Sequence, residues 1–144
     1  MKDFRERKSF NGQEVAFSAY SDCSYNFGLF NQETFHFDKV LVNLGGGFDV
    51  NIHMFVCPVS DVYFFTMTGL QHKVETEMVL EGATQAVTTT GGEFNQGVNS
   101  AVNHCLHGQR VWVRAWRAMT GGIYCQHWST FSGFLLSLDD VSSS

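Results

Sequence analysis

Proline occurs once in 144 residues, at Pro58, and charged side chains make up only 16% of the chain. With one proline and no Gly-X-Y repeat there is no collagen triple helix. No window approaches the run of about 18 apolar residues that a membrane helix needs. A net charge of −5 excludes bulk attraction to nucleic acid or anionic membrane. The stretch Met1–Lys8 is charged and lacks the apolar centre of a signal peptide, which fits either a cytosolic protein or a mature domain given a start codon. No C-x-x-C pair links Cys23, Cys57, Cys105 and Cys125, so neither a zinc cluster nor a thioredoxin-type motif is expected. No Asn-x-Ser/Thr sequon bears on secretion. No phosphate loop, G-x-S-x-G elbow or pair of catalytic carboxylates is present, so no enzyme activity is expected.

What the chain has in quantity is phenylalanine, 14 residues in an aromatic share of 15%, and aromatics favour strands. The length fits one domain that buries roughly 68–70% of its unfolded surface. Residues 1–12 read as a loose polar arm, 13–139 as the globular head and 140–144 as a polar tail. Strands are predicted over Val15–Tyr20, Phe35–Asn43, Phe55–Cys57, Val62–Thr68, Val74–Leu80, Gln85–Thr90, Ser100–His107, Gln109–Trp116 and Ser129–Leu136. Gly45–Gly47, Pro58 and Gly108 punctuate them, and Gly91–Gly97 reads as a loop. Many short strands at this spacing predict an all-β sandwich or jelly roll.

The strand Ser129–Leu136 is apolar on both faces. Phe131, Gly133 and Leu135 share one side, and Phe134 and Leu136 share the other. Such a sheet must be covered twice, and in a chain this short the second cover is expected to be another copy.

The segments Val15–Ala19, Phe37–Asn43, Phe55–Val59 with Val62–Phe65, Gly108–Val113 and Ser129–Leu136 together resemble the globular head of the complement C1q family. The resemblance covers roughly residues 15–138. It implies a ten-strand jelly roll of two antiparallel sheets, of the tumour-necrosis-factor type, assembling as a trimer. It also implies a secreted, non-catalytic protein that binds ligands, without the collagen stalk many relatives carry. Tyr63, Phe65 and Phe134 are then expected at the trimer interface. Cys57 matches a family position commonly left as a free thiol. Cys105 and Cys125 fall in a strand and a loop expected to lie close around the Gly108 turn, which makes Cys105–Cys125 the preferred disulfide. From the sequence alone, all three connectivities of two disulfides, and four reduced thiols, stay open. Relatives that bind calcium use aspartates in the apical loop matching Gly91–Asn99. This chain offers Glu93, Asn95, Gln96 and Asn99 there and no Asp, so calcium, which prefers several anionic oxygens, is a doubtful cofactor.

The run Arg110-Val111-Trp112-Val113-Arg114-Ala115-Trp116 places Arg110, Trp112, Arg114 and Trp116 on one face, opposite Val111, Val113 and Ala115. Guanidinium and indole groups in such a ladder can stack on sugars or hold carboxylates, sulfates or phosphates. The competing reading is internal pairing with Glu75 and Glu77, outward on a strand that the family order makes a neighbour. His104 and His107 point to opposite faces of a strand, which argues against a shared metal. Three functions follow. The first is a recognition trimer for microbial or self glycans and anionic polymers, the second a cerebellin-like adhesive or signalling head that bridges cell-surface receptors. The third is a protein of the extracellular matrix or of mineral.

Overall fold

Strands that hide one apolar face each are satisfied by stacking two sheets, and the computed structural model does this with antiparallel pairing throughout. It describes residues 14–21, 30–72, 74–90, 95–116, 122–123 and 126–136. The expected arm and tail, Glu93 and Cys125 lie outside the described residues. The strands are β1 (Ala16–Ser21), β2 (Lys39–Leu44), β3 (Phe48–Asp49), β4 (Met54–Val56), β5 (Asp61–His72) and β6 (Val74–Leu80). They continue with β7 (Ala83–Thr90), β8 (Asn95–Cys105), β9 (Arg110–Ala115), β10 (Gly122–Ile123) and β11 (Gln126–Leu135). One sheet runs β8-β5-β11-β1-β2 and the other β3-β4-β9-β6-β7. Since β8 occupies one side of β5, the short β10 shares the opposite side with β11. Each sheet therefore has five strand positions, as expected for a ten-strand jelly roll.

Phenylalanine fills the space between the sheets. Phe17 stacks on Phe55 at 4.5 Å and on Phe48 at 5.4 Å, and meets Phe131 edge-on at 4.9 Å. Gly133 is the close-approach point of this cluster. A Cβ there would stand 2.7 Å from Phe65 and 2.8 Å from Phe17, so the two rings occupy the space a side chain would need. Asparagines close the sides of the sandwich. The Asn43 amide donates to and accepts from the Phe48 backbone at 3.0 and 2.9 Å. At the opposite side Asn99 donates to the Val87 carbonyl and Asn103 to the Gln85 side chain.

Four expectations are corrected here. Tyr63 and Phe65 are 0% and 1% exposed within the single chain, with the Tyr63 hydroxyl donating to the Val59 carbonyl at 2.6 Å. They are core residues, and the outward members of β5 are Val62, Phe64 and Thr66. The run Phe35–Asp38 is no strand of a sheet. It is a strap bridged to β9 at Thr34 and Phe35, with Phe35 and Phe37 buried. Strand β8 starts at Asn95, inside the expected loop, because it pairs continuously with β5 from Asn95 to Cys105. Finally, Cys105 is joined to Cys57 and not to Cys125. The Cys57 backbone bonds to Gln109 and Gly108, which brings Cys57 beside the end of β8, with a Cα–Cα distance of 6.3 Å.

Candidate functional site

The two sheets present outer faces of opposite character. On the β8-β5-β11-β1-β2 sheet the register aligns outward side chains in rows across the strands. One row is Val102, Phe64, Phe134, Ala16 and Leu44, apolar from end to end. Phe64 and Phe134 lie at its centre, ring centroids 5.3 Å apart, and Phe134 is 45% exposed while Val102 is 59% exposed. The next row is Ser100, Thr66, Ser132, Ser18 and Val42. Its hydroxyls bond to one another, Ser100 to Thr66 and Ser18 to Ser132, both at 2.9 Å. Thr68 and Thr130 do the same one row further on, at 2.7 Å. Of the residues expected at the trimer interface, Phe134 lies on this face. The sequence also held Phe64, Val98 and Val102 for it, through their parity with Phe134 once the register is known.

The outer face of the other sheet is ionic and partly closed. Arg110, Trp112, Arg114 and Trp116 do share it, with Val111, Val113 and Ala115 buried beneath. Arg114 stands directly across from Glu77 on β6 and its Nε–H donates to Glu77 Oε2 at 2.8 Å. The Thr84 hydroxyl donates to the other carboxylate oxygen, and Arg114 also donates to the Gly82 carbonyl at 3.3 Å. These two side chains are only 14% and 4% exposed. The expected internal pairing with Glu77 is therefore present.

Arg110 finds a different carboxylate. Glu81 and Gly82, both with positive φ (48° and 88°), form the turn between β6 and β7, a geometry in which glycine is at ease and glutamate is not. Glu81 accepts from the Arg110 backbone N–H at 2.6 Å and from its Nε–H at 3.2 Å. These bonds hold the Glu81 carboxyl below its ordinary value and raise that of Arg110. The signal for Glu81 was the Glu-Gly pair that ends the alternating stretch of β6. Trp112 lies opposite Val79, which is fully buried although it faces outward. Trp116, at 48% exposed, is the open end of the ladder.

Of the apical-loop candidates, the structure describes the backbone of Asn95 and all of Asn99. Asn95 begins β8, and Asn99 lies within it. The Asn99 side chain donates to Val87 O at 2.6 Å and accepts from the Ser100 N–H at 2.8 Å. Both ends of its amide are engaged, at the side of the sandwich.

A two-sheet antiparallel jelly roll with one apolar and one ionic outer face defines the class of fold as a β-sandwich. Comparison with known proteins narrows it. The C1q domain family model matches residues 16–136, and the chain belongs to that family. It is 35% identical over 107 residues to complement C1q tumor necrosis factor-related protein 3 of Mus musculus, covering 69% of this chain and 43% of that protein. It is 32% identical over 134 residues to caprin-2 of Danio rerio, covering 87% of this chain and 14% of that protein. The chain thus spans less than half the length of either relative. Among solved structures, the globular domain of zebrafish complement 1qA protein has a TM-score of 0.71 at 19% identity, over 85% of this chain and 97% of that one. Murine APRIL has a TM-score of 0.67 at 14% identity, over 86% of this chain and all of the other.

Proposed function

We propose that this chain is a secreted, non-catalytic recognition head. Three copies close on the outer face of the β8-β5-β11-β1-β2 sheet, and the opposite sheet meets microbial or self glycans or anionic polymers. The observation that carries the reading is the row Val102-Phe64-Phe134-Ala16-Leu44 beside a row of hydroxyls bonded among themselves. Exposed contiguous apolar surface marks an interface, and polar groups already paired can be buried without the penalty of an unmet hydrogen bond. Secretion is supported by the buried Cys57–Cys105 disulfide, since such bonds persist in oxidising compartments.

For the ligand, the reading rests on Arg110, Trp112 and Trp116, with Arg114 binding through its outer edge while it holds Glu77. Indole faces stack on sugars, and guanidinium groups hold sulfate, phosphate or carboxylate. A glycan and lipopolysaccharide array on the purified protein tests this. Bound glycan or anionic polymer should be lost at least tenfold when Arg110 and Trp116 are both replaced by alanine, as truncating an interface hot spot costs about 2 kcal/mol or more. Unchanged binding in that variant moves the ligand site to the loops. Binding of a receptor ectodomain with no glycan signal favours the adhesive, cerebellin-like reading instead.

A further inference from the structure

The strap before β2 is fastened by a pair of stacked histidines. Phe35 and Phe37 enter the core, so His36 between them is turned outward. His53 lies in the turn between β3 and β4, at a positive φ of 59°. The two imidazoles are parallel within 7°, their centroids 4.3 Å apart, and His53 Nδ1 is 3.4 Å from the Phe37 carbonyl. Backbone bonds hold the start of the strap to β9, where Phe35 N–H donates to Val113 O and Ala115 N–H to Glu33 O, each at 2.8 Å. The histidine pair holds its far end, just ahead of β2.

We propose that the His36–His53 stack is an acid-released latch that keeps residues 34–38 closed over the core at neutral pH. Two neutral imidazoles stack favourably, whereas two imidazolium ions face to face at this distance repel. Burial, and then the neighbouring His53, keep His36 below its ordinary value, against the opposing pull of Glu33 and Asp38 on the same strap. The sign follows from the depression. Above the unfolded value of about 6.5 both states are neutral and the latch is intact. Below it the opened strap takes up a proton that the closed strap resists, so closure weakens as pH falls toward the lower folded value. The flanking carboxylates of Glu33 and Asp38 moderate the change but lie on the strap itself, and the facing turn contributes His53.

Amide hydrogen exchange at Thr34–Asp38, corrected for the intrinsic pH dependence of exchange, tests this on the whole chain. Protection at these amides should fall between pH 7.5 and pH 5.5, because the opened strap takes up a proton that the closed strap resists. Strand β11 should stay protected throughout. In His36→Phe, which keeps a flat ring without the charge, the fall should disappear. Should that variant fail to fold, His53→Asn serves, because asparagine tolerates positive φ, and it should remove the pH dependence in the same way. Constant protection in the native protein overturns the latch, and so does an equal fall in native and variant. A loss spread over β11 as well would also overturn it, being global acid unfolding.

Discussion

Arg110 and Arg114 occupy the same face of β9, yet their surroundings give them different work. Arg114 and Glu77 are nearly enclosed and share Thr84 and Gly82 as further partners. Removing one member of a buried pair leaves the other charge uncompensated, so Arg114→Ala should destabilise the fold by about 3 kcal/mol, read as a lowered urea midpoint. Arg110 pairs with Glu81 in the open, and exposed pairs contribute little, so Arg110→Ala should leave the urea midpoint unmoved. A large loss in both variants, or in neither, would contradict the contrast. Gly133 is the other residue whose neighbours set its identity. A methyl there meets the rings of Phe17 and Phe65, and overpacking of this kind costs about 1–3 kcal/mol. Gly133→Ala should therefore melt measurably lower, with no change in secondary structure by circular dichroism.

At the scale of elements, the disulfide sets how the two sheets are held at one end. Cys57 follows β4 in one sheet and Cys105 ends β8 in the other, 48 residues apart in the chain. Closing a loop of that length restricts the unfolded chain by about 4 kcal/mol. The double variant Cys57→Ser, Cys105→Ser should lose stability on this order, and reduction of the native protein should do the same. Mass mapping of the non-reduced protein should find the 57–105 peptide pair. A 105–125 pair in its place would restore the pairing first expected. The strands themselves were largely legible: alternation located β6 and β9, apolarity on both faces located β11, and Gly45, Pro58 and Gly108 marked the ends of β2, β4 and β8. Where pairing partners decide the outcome, local pattern failed. Phe35–Asp38 carries strand-like alternation but has sheet neighbours only at its start, and Asn95–Gly97 looks like a loop but is held in the ladder by Gly69–Gln71.

For the whole molecule, the choice of interface residues depends on a shift of one position. Because side chains alternate along a strand, placing Tyr63 and Phe65 outward or inward exchanges the core for the surface. The structure puts them inward and Phe64 outward beside Phe134. Substitution distinguishes the two faces. Phe134→Asp should place a charge in the proposed contact and shift the protein, still folded, toward a monomer by sedimentation, its apparent size now dependent on concentration. Phe65→Asp buries an unpaired carboxylate in the core and should unfold the chain outright. A native protein that sediments as a monomer at micromolar concentration would refute the trimer.

The sequence by itself determined the class of fold, the family, the both-faced apolarity of the last strand and the common face of Arg110, Trp112, Arg114 and Trp116. Each of these follows from alternation or from local order, which a chain carries in its own residues. Only the tertiary structure decided which carboxylate each arginine meets, which cysteine Cys105 joins, which phenylalanines of β5 face out and that His36 lies on His53. Those are relations between segments far apart in the chain, and their partners are chosen by strand register and sheet order. Neither is written in any one stretch of sequence.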